Sequence, residues 1–217
     1  MRLGHKGGIG RRDALQALGL LLAAGAVPVA AQAKPLRIGI IGTGRVGGAL
    51  ATSLGSRAHI GTPKEAAAFG EVVLVSVPYS AMPGIGRDNA AQLKGKVVLD
   101  TSNPVESRDG AMALAAQKKG AGVATAEFLA GARVVRAFNC IPAASLANNA
   151  NRRPERIAIP IGGDDTLALD VAQRLVRDAG FDPVVVGSLA QTRQFDLGGL
   201  LASRQFTAAE MQRAIRR

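Results

Sequence analysis

Residues 36–48 read LRIGIIGTGRVGG, and this stretch decides how the chain folds. Ile38, Ile40 and Ile41 form a short β-branched run, which is typical of a buried strand. The run stops at a G-x-G-x-x-G sequence, residues 42–47, and residues 49–54 continue as a helix. The pattern predicts a strand that turns directly into a helix, which is the arrangement of a dinucleotide-binding turn.

Each glycine of this turn has a separate predicted role. Gly42 permits the tight turn, Gly44 lets the backbone approach a pyrophosphate, and Gly47 lets the helix pack closely on the strand. The peptide N–H groups at the start of the helix, together with the helix dipole, would hold the phosphates. The alternative is a glycine-rich turn with a purely structural role.

The rest of the chain alternates between buried apolar runs and helical segments. Such alternation predicts an α/β fold, namely a Rossmann-type doubly wound, mainly parallel sheet in a single domain over residues 34–217. Ligands bind at the carboxyl ends of the strands in this fold. The strand ends that would build such a site are Thr43–Val46, Val77–Ala81, Thr101–Pro104 and Asn139–Ala143.

The second strand of the predicted sheet has little room. In a Rossmann unit this strand ends about 20 residues after the glycines, where the adenosine ribose is read. Ser56 and Arg57 come sooner than that, so we expect a shortened or missing second strand. A hydroxyl and a guanidinium can both donate to a 2′-phosphate, which would favour NADP over NAD. The alternative is a solvated arginine in a turn.

The first 33 residues have the pattern of an export signal. Arg11 and Arg12 precede an uncharged stretch rich in Ala and Leu, and Ala31-Gln32-Ala33 resembles a cleavage site. The paired arginines suggest twin-arginine export, and hence a periplasmic or secreted protein. No stable membrane insertion is expected after cleavage. The alternative is an uncleaved N-terminal membrane anchor.

Composition narrows the partners and the chemistry. The chain has a formal net charge of +11, but it has no Trp and one Tyr, and no basic tract, so nucleic acid is not expected. A basic surface that serves an anionic cofactor or substrate is the better interpretation. Cys140 is the only cysteine and His59 is the only histidine after residue 33, so no metal site is expected.

Several motifs lie at the strand ends, namely GTGRVG (residues 42–47), VPY (77–79), GKVVLDTSNP (95–104), AFNCIPA (137–143) and GDD (163–165). Together they resemble the NADPH-dependent F420 reductase family, the coenzyme F420-dependent NADP oxidoreductases. The resemblance implies a Rossmann-type enzyme that transfers a hydride between NADP(H) and a small-molecule redox acceptor, either a flavin or the deazaflavin coenzyme F420.

The resemblance also implies which residues bind the cofactor. The pyrophosphate would contact Thr43, Gly44, Arg45 and Val46 within the Gly42–Gly47 turn, and the 2′-phosphate would contact Ser56 and Arg57. The nicotinamide side would be lined by strand-end residues, namely Val77, Pro78, Ala81, Asn103, Asn139 and Ala143. Of these, Asn103 and Asn139 are the candidates for polar contacts near the ring.

No catalytic acid or base is expected. Hydride transfer to a flavin-like ring needs alignment of two rings and exclusion of water, and the cofactor supplies the chemistry. A second hypothesis is a non-catalytic NADP-binding paralogue whose site was weakened by loss of the second strand. The sequence is compatible with a homodimer.

Overall fold

The structure is a computed structural model that describes residues 34–216. The predicted signal peptide, residues 1–33, lies outside the described residues. The strands are β1 (Ile38–Ile41), β2 (Ala58–Ile60), β3 (Val72–Val75), β4 (Val97–Asp100), β5 (Arg133–Arg136), β6 (Ala158–Gly163) and β7 (Asp182–Gly187). No helix within residues 34–216 is long and apolar enough to cross a membrane.

Ten α-helices connect and flank these strands in the described part of the chain. They are α1 (Arg45–Leu54), α2 (Pro63–Phe69), α3 (Met82–Asp88), α4 (Ala90–Leu93), α5 (Glu106–Asp109), α6 (Ala111–Lys119), α7 (Ala121–Phe128), α8 (Ala143–Asn148), α9 (Thr166–Asp178) and α10 (Ala208–Ile215). Short 3₁₀ helices cover Gly55–Arg57, Tyr79–Ala81 and Leu189–Gln194.

The seven strands form one sheet in the order β2-β1-β3-β4-β5-β6-β7. All neighbouring pairs are parallel except β5 and β6, which are antiparallel. The predicted single α/β domain with a mainly parallel sheet is therefore confirmed. Because β1, β3, β4 and β5 are parallel, their carboxyl ends lie on the same side of the sheet. The loops that follow these strands can therefore build a common site.

Alternate residues of each central strand pack against helices on opposite faces of the sheet, because side chains alternate along a strand. Ile40 of β1 packs in a cluster with Leu50 of α1 and Leu175 of α9. On the other face, Ile41 packs with Ala66 of α2 and Ile85 of α3. Burial on both faces explains why the central strands are continuous apolar runs.

The predicted shortening of the second strand is also confirmed. β2 has three residues, lies at the edge of the sheet and pairs in parallel with β1, with Ala58 opposite Ile38 and Ile60 opposite Ile40. The 3₁₀ turn Gly55–Arg57 precedes β2 rather than following it.

Candidate functional site

The glycine turn lies where β1 ends and α1 begins. Gly42 has φ +99°, and a Cβ there would lie 2.2 Å from the carbonyl oxygen of Ser76. A Cβ on Gly47 would lie 2.2 Å from the carbonyl oxygen of Gly42, so this glycine lets the helix lie close to the turn. Only glycine fits either position without a shift of the backbone.

Gly44 faces open space, unlike the other two glycines. A Cβ built there would meet nothing within 4 Å. Gly44 is also the N-cap residue of α1, and that helix begins without a side-chain cap and without an acidic residue in its first turn. The unblocked backbone at Gly44 and the uncapped N–H groups therefore fit an anionic group such as a diphosphate.

Two neighbouring cavities open on this turn. The larger, about 550 Å³, lies over the carboxyl ends of β1, β3 and β4 and is lined by Gly44, Arg45, Val46, Ser76, Val77, Pro78, Thr101, Ser102, Asn103, Val105, Arg108, Pro142, Ala143, Ala144 and Leu197. The other, about 490 Å³, lies between α1 and α8 and shares Gly44, Arg45, Ala143 and Ala144 with it. Together they form one cleft at the predicted edge of the sheet.

The charge of the larger cavity is positive. Arg45 and Arg108 are its charged lining residues, and no carboxylate lines it. Arg45 is exposed, and its side chain makes no hydrogen bond or ion pair with any residue in 34–216. A free guanidinium beside an open glycine turn favours binding of a phosphate-bearing molecule.

Asn103 is held in place at the end of β4 by Asn139, which follows β5. The Asn103 amide donates to the carbonyl oxygen of Asn139 (2.7 Å). In return, the Asn139 amide donates to Oδ1 of Asn103 (3.2 Å) and to the carbonyl oxygen of Phe195 (3.0 Å). Asn103 lines the cavity, whereas Asn139 is buried beneath it. Their roles are therefore different. Asn103 faces the cavity, whereas Asn139 holds the Asn103 side chain in position.

The turn after β5 has an unusual backbone. Phe138 has φ +64°, a region that side chains other than glycine rarely adopt, and its ring is fully buried against Phe181. Strand β5 ends at Arg136, two residues before Phe138. It follows that buried aromatic packing holds the turn that carries Asn139.

A buried ion network lies directly under the site. Arg136 of β5 contacts Asp100 of β4 (2.6 Å) and Asp196 (2.8 Å), and the Arg136 and Asp100 side chains are completely buried. Burial alone would lower the pKa of Arg136, but the two carboxylates outweigh it and the pKa is raised. Arg136 also donates to the carbonyl oxygen of Ser102 (3.1 Å). The network therefore ties the ends of β4 and β5 to the segment that carries Leu197.

Arg108 is anchored by a neighbouring carboxylate. Its Nε and Nη2 donate to Asp109, and Nη2 also donates to the carbonyl oxygen of Asn103 (2.6 Å). Asp109 is fully buried and accepts the backbone N–H groups of Ser80 (3.1 Å) and Val105 (2.9 Å). The hydrogen bond from Arg108, assisted by these backbone groups, lowers the pKa of Asp109 well below its usual range.

Most of the predicted cofactor residues meet at this cleft. The residues that line it are Thr43, Gly44, Arg45, Val46, Val77, Pro78, Asn103 and Ala143. Gly42 and Gly47 shape the turn behind them. Ala81 is exposed on a 3₁₀ turn outside the cleft, and Asn139 is buried below it, so neither lines the space as expected.

The structure does not bring Ser56 and Arg57 to the site. They precede β2, so they lie at the amino end of the sheet, whereas the glycine turn follows the carboxyl end of β1. The parallel register places the two ends about four residues apart, or roughly 13 Å. Arg57 is instead paired with Asp178 of α9 (2.7 Å). The structure therefore places these two residues outside the cleft, and their contact with a 2′-phosphate stays a prediction.

Sequence reasoning missed Arg108 and Leu197. Arg108 is on the four-residue helix α5, and Leu197 follows the 3₁₀ helix Leu189–Gln194, far along the chain. Neither belongs to a strand-end motif, so no local signal marks them. They reach the cleft through tertiary contacts. The backbone N–H of Ser80 donates to Asp109, which is next to Arg108, and the Arg136–Asp196 pair is next to Leu197.

Two further polar groups lie near the site but are buried. Tyr79 donates its hydroxyl to the carbonyl oxygen of Ala121 (3.0 Å), and burial raises its pKa to about 12. Burial likewise raises the pKa of Cys140 to about 12. Neither group is therefore suited to exchange a proton near neutral pH. Residues 34–216 contain no group of three or more His, Cys, Asp or Glu side chains that could hold a metal ion.

Comparisons with known proteins agree with this architecture. Residues 52–104 match the family described as NADP oxidoreductase coenzyme F420-dependent, a stretch that includes β2, β3, β4 and Asn103. Metalloreductase STEAP3 of Rattus norvegicus is 31% identical over 188 residues, which cover 74% of this chain and 36% of that protein. The chain thus spans about a third of the length of this curated relative.

Two solved structures share the fold. The hypothetical protein SMa0349 of Sinorhizobium meliloti is 24% identical with a TM-score of 0.64, covering 78% of this chain and 94% of that one. An Arthrobacter sp. FB24 protein, provisionally described as an F420-dependent NADP reductase, is 17% identical with a TM-score of 0.64, covering 79% of this chain and 99% of that one. The chain therefore has a Rossmann-type fold, and its residues 52–104 match the NADP oxidoreductase coenzyme F420-dependent family.

Proposed function

We propose that this protein is an oxidoreductase that binds NADP(H) in the cleft and transfers a hydride between it and a flavin or deazaflavin acceptor such as coenzyme F420. The observation that carries the proposal is the open space at Gly44, where a glycine turn meets a cavity of about 550 Å³ over the strand ends. The family match over residues 52–104 supports the NADP-linked reaction.

The diphosphate of the cofactor fits the turn between β1 and α1. Gly44 offers backbone without a side chain, the N–H groups of the first turn of α1 have no side-chain cap, and Arg45 supplies a positive charge beside them. The dipole of the ten-residue helix adds to this attraction. We assign the diphosphate to these residues.

The nicotinamide half would lie over β3 and β4. Val77, Pro78 and Ala143 offer apolar contacts there, and Asn103 offers a fixed polar group. When bound, the nicotinamide supplies or accepts the hydride. The chain positions the reacting rings and excludes water, and the larger cavity offers two arginines but no carboxylate or histidine as a proton donor. That set of side chains fits a reaction that needs no acid or base.

In this proposal the Arg45 guanidinium lies between the diphosphate and the 2′-phosphate and donates to both, so the preference for NADP over NAD rests on its contact with the 2′-phosphate. Arg57 is paired with Asp178 away from the cleft, so it cannot also read a 2′-phosphate without breaking that pair. Arg45 is exposed at the turn, free of partners within residues 34–216, and can donate to phosphate oxygens. We expect Arg45→Gln to weaken NADPH binding more than NADH binding.

The decisive experiment measures binding and turnover on the same protein. NADPH fluorescence gives the affinity, and loss of NADPH absorbance after addition of F420, FMN or riboflavin gives the turnover. We expect binding in the micromolar range or tighter and oxidation with at least one acceptor. Absence of NADPH binding would overturn the proposal. Tight binding without turnover on any acceptor would favour a non-catalytic NADP-binding protein, an alternative that the three-residue edge strand β2 keeps open.

We also propose that the protein is exported through the twin-arginine route, as the pattern of residues 1–33 suggests. This route carries folded proteins, so the cofactor could be taken up before export. Fractionation of cells that express the full chain tests the proposal. A processed protein in the periplasm is expected, and a full-length protein found only in the cytoplasm would contradict it.

A further inference from the structure

The larger cavity contains a second arginine that the proposed cofactor site does not use. Arg108 lines the cavity beside Asn103, at the end of β4. In the sheet order β1-β3-β4, this position is two strands away from the glycine turn, or about 10 Å. The charged groups of NADP(H) are its phosphates, and these are assigned to the turn at β1. Arg108 is therefore left without an anion from the cofactor.

The Arg108 guanidinium is fixed in orientation. Its Nε and Nη2 are taken by the Asp109 carboxylate and the carbonyl oxygen of Asn103, while Nη1 has no hydrogen-bond partner within residues 34–216. Asp109 cannot move with it, because its carboxylate is buried and accepts two backbone N–H groups. The side chain of Arg108 is 44% exposed, so the free edge of the guanidinium is accessible from the cleft.

We propose that Arg108 binds an oxyanion on the second substrate, so that the redox acceptor carries a carboxylate or phosphate group beside its reacting ring. This inference rests on the proposed function, since it concerns the partner that exchanges a hydride with the cofactor. A guanidinium with a prearranged donor edge binds such a group by charge-assisted hydrogen bonds. Arg108 is thus a specificity residue for the acceptor. Asp109 lies behind it and does not line the cavity, so Arg108 offers its unpaired Nη1 to a ligand with no competing carboxylate among the lining residues.

FMN and riboflavin test this inference, because they share one ring system and differ by a terminal phosphate. With NADPH at saturation, kcat/KM should be about tenfold higher for FMN than for riboflavin in the wild-type protein. In Arg108→Gln this ratio should fall to about one, and Arg108→Lys should give an intermediate value because it keeps the charge but loses the Nη1 donor that the contacts with Asp109 hold in place. Higher salt should reduce the ratio in the wild-type protein, since ionic screening weakens the contact with the phosphate.

Arg87→Gln is the matched control. Arg87 is 74% exposed on α3, pairs with its neighbour Asp88, and does not line the cleft. The FMN-to-riboflavin ratio of this variant should equal that of the wild-type protein. If kcat/KM fell equally for FMN and riboflavin in Arg108→Gln, the inference would be overturned, since Arg108 would then act on the ring or on the fold. Weaker NADP⁺ binding in Arg108→Gln would overturn it as well.

Equilibrium binding separates this inference from the proposed function. Quenching of flavin fluorescence, measured with NADP⁺ present, reports the affinity for FMN and for riboflavin without any turnover. FMN affinity that depends on Arg108, in a protein that never oxidises NADPH, would support the anion site and overturn the proposed reaction. Turnover with an FMN-to-riboflavin ratio that Arg108→Gln does not change would support the reaction and overturn the anion site.

Discussion

The Arg57 guanidinium lies 2.7 Å from the Asp178 carboxylate, joining the 3₁₀ turn before β2 to the last turn of α9. Both side chains are about a quarter exposed. Arg57 itself precedes β2, toward the amino end of that strand, and it does not line the cleft. Arg57 therefore has a structural partner of its own and takes no part in the candidate site.

Replacing Arg57 should separate stability from cofactor binding. We expect Arg57→Ala to reduce the free energy of unfolding by about 1 kcal/mol or less, because a partly exposed ion pair contributes little. The dissociation constants for NADPH and NADH should stay within about twofold of the wild-type values. Urea unfolding and fluorescence titration measure the two quantities. Selective loss of NADPH binding would show instead that Arg57 reaches the 2′-phosphate.

The sequence predicted those parts of the site that depend on local pattern. Gly42, Gly44 and Gly47 could be assigned because a strand, a tight turn and a helix follow each other directly. Asn103 could be assigned because it follows a buried strand, and parallel strands end at a common edge. In both cases a few neighbouring residues determine the local backbone conformation. The topology of the sheet then brings the glycine turn and Asn103 to the same side of the sheet.

The remaining parts depend on contacts between distant segments. Arg57 lies away from its predicted position because β2 begins after it, at Ala58. A shift of a few residues along a short strand moves a side chain from one end of the strand to the other. The position of Arg108 depends on the hydrogen bond between Ser80 and Asp109, and that of Leu197 depends on the Arg136–Asp196 pair. No periodicity or motif in the sequence encodes these pairings.

Gly44 and Gly47 should respond differently to the same substitution. Gly44→Ala should fold, since φ is −62° there and a Cβ meets nothing, and it should lose about 1 kcal/mol or less from the weaker N-cap. Its affinity for NADPH should nevertheless fall about tenfold or more, because the methyl group occupies the space that we assign to the diphosphate. Wild-type affinity in Gly44→Ala would mean that the diphosphate lies elsewhere.

Gly47→Ala is the comparison for that variant. A Cβ at Gly47 would lie 2.2 Å from a backbone oxygen, so the helix must move and stability should fall by about 1–3 kcal/mol. Thermal unfolding distinguishes the two variants before any ligand is added. A lower melting temperature for Gly44→Ala than for Gly47→Ala would contradict the packing described for this turn.

Arg136 should be far more important for stability than Arg133, although both belong to β5. Arg136→Met leaves Asp100 and Asp196 without their buried partner, which should cost about 3–5 kcal/mol. Arg133→Met removes a partly exposed pair with Asp165 and should cost about 1 kcal/mol or less. Urea unfolding of both variants measures the difference. Similar losses would mean that the buried network contributes no more than a surface ion pair.

Cys140 should be inert in the folded protein. Its side chain is buried, and burial raises the pKa of the thiol to about 12, so the reactive thiolate is scarce at neutral pH. We expect a disulfide reagent to react at least about a hundredfold more slowly with the native protein than with the unfolded chain. Because Cys140 is the only cysteine, the Cys140→Ser variant gives the background rate. Rapid labelling of the native protein would show instead that the thiol is accessible.

Asp109 should make the protein sensitive to acid. Its carboxylate is ionised in the folded state because Arg108 and backbone N–H groups hold its pKa well below the ordinary value, which is about 3.9 in the unfolded chain. A group with a lowered folded-state pKa contributes stability above its unfolded-state pKa, and this contribution is lost as pH falls through the folded-state value. The free energy of unfolding should therefore decline as pH falls below about 5.

Asp109→Asn isolates this contribution from that of other carboxylates. The variant keeps the shape of the side chain but loses the charge, so it should be about 1–3 kcal/mol less stable than the wild-type protein at pH near 7. This difference should shrink as the pH falls below about 4, because the carboxylate of the unfolded wild-type chain then binds a proton that the folded protein does not, while the amide does not titrate. Urea unfolding of both proteins at several pH values measures the difference. If the difference in stability between the two stays constant down to the lowest pH at which both fold, Asp109 does not have the lowered pKa, and the anchor of Arg108 is weaker than its hydrogen bonds indicate.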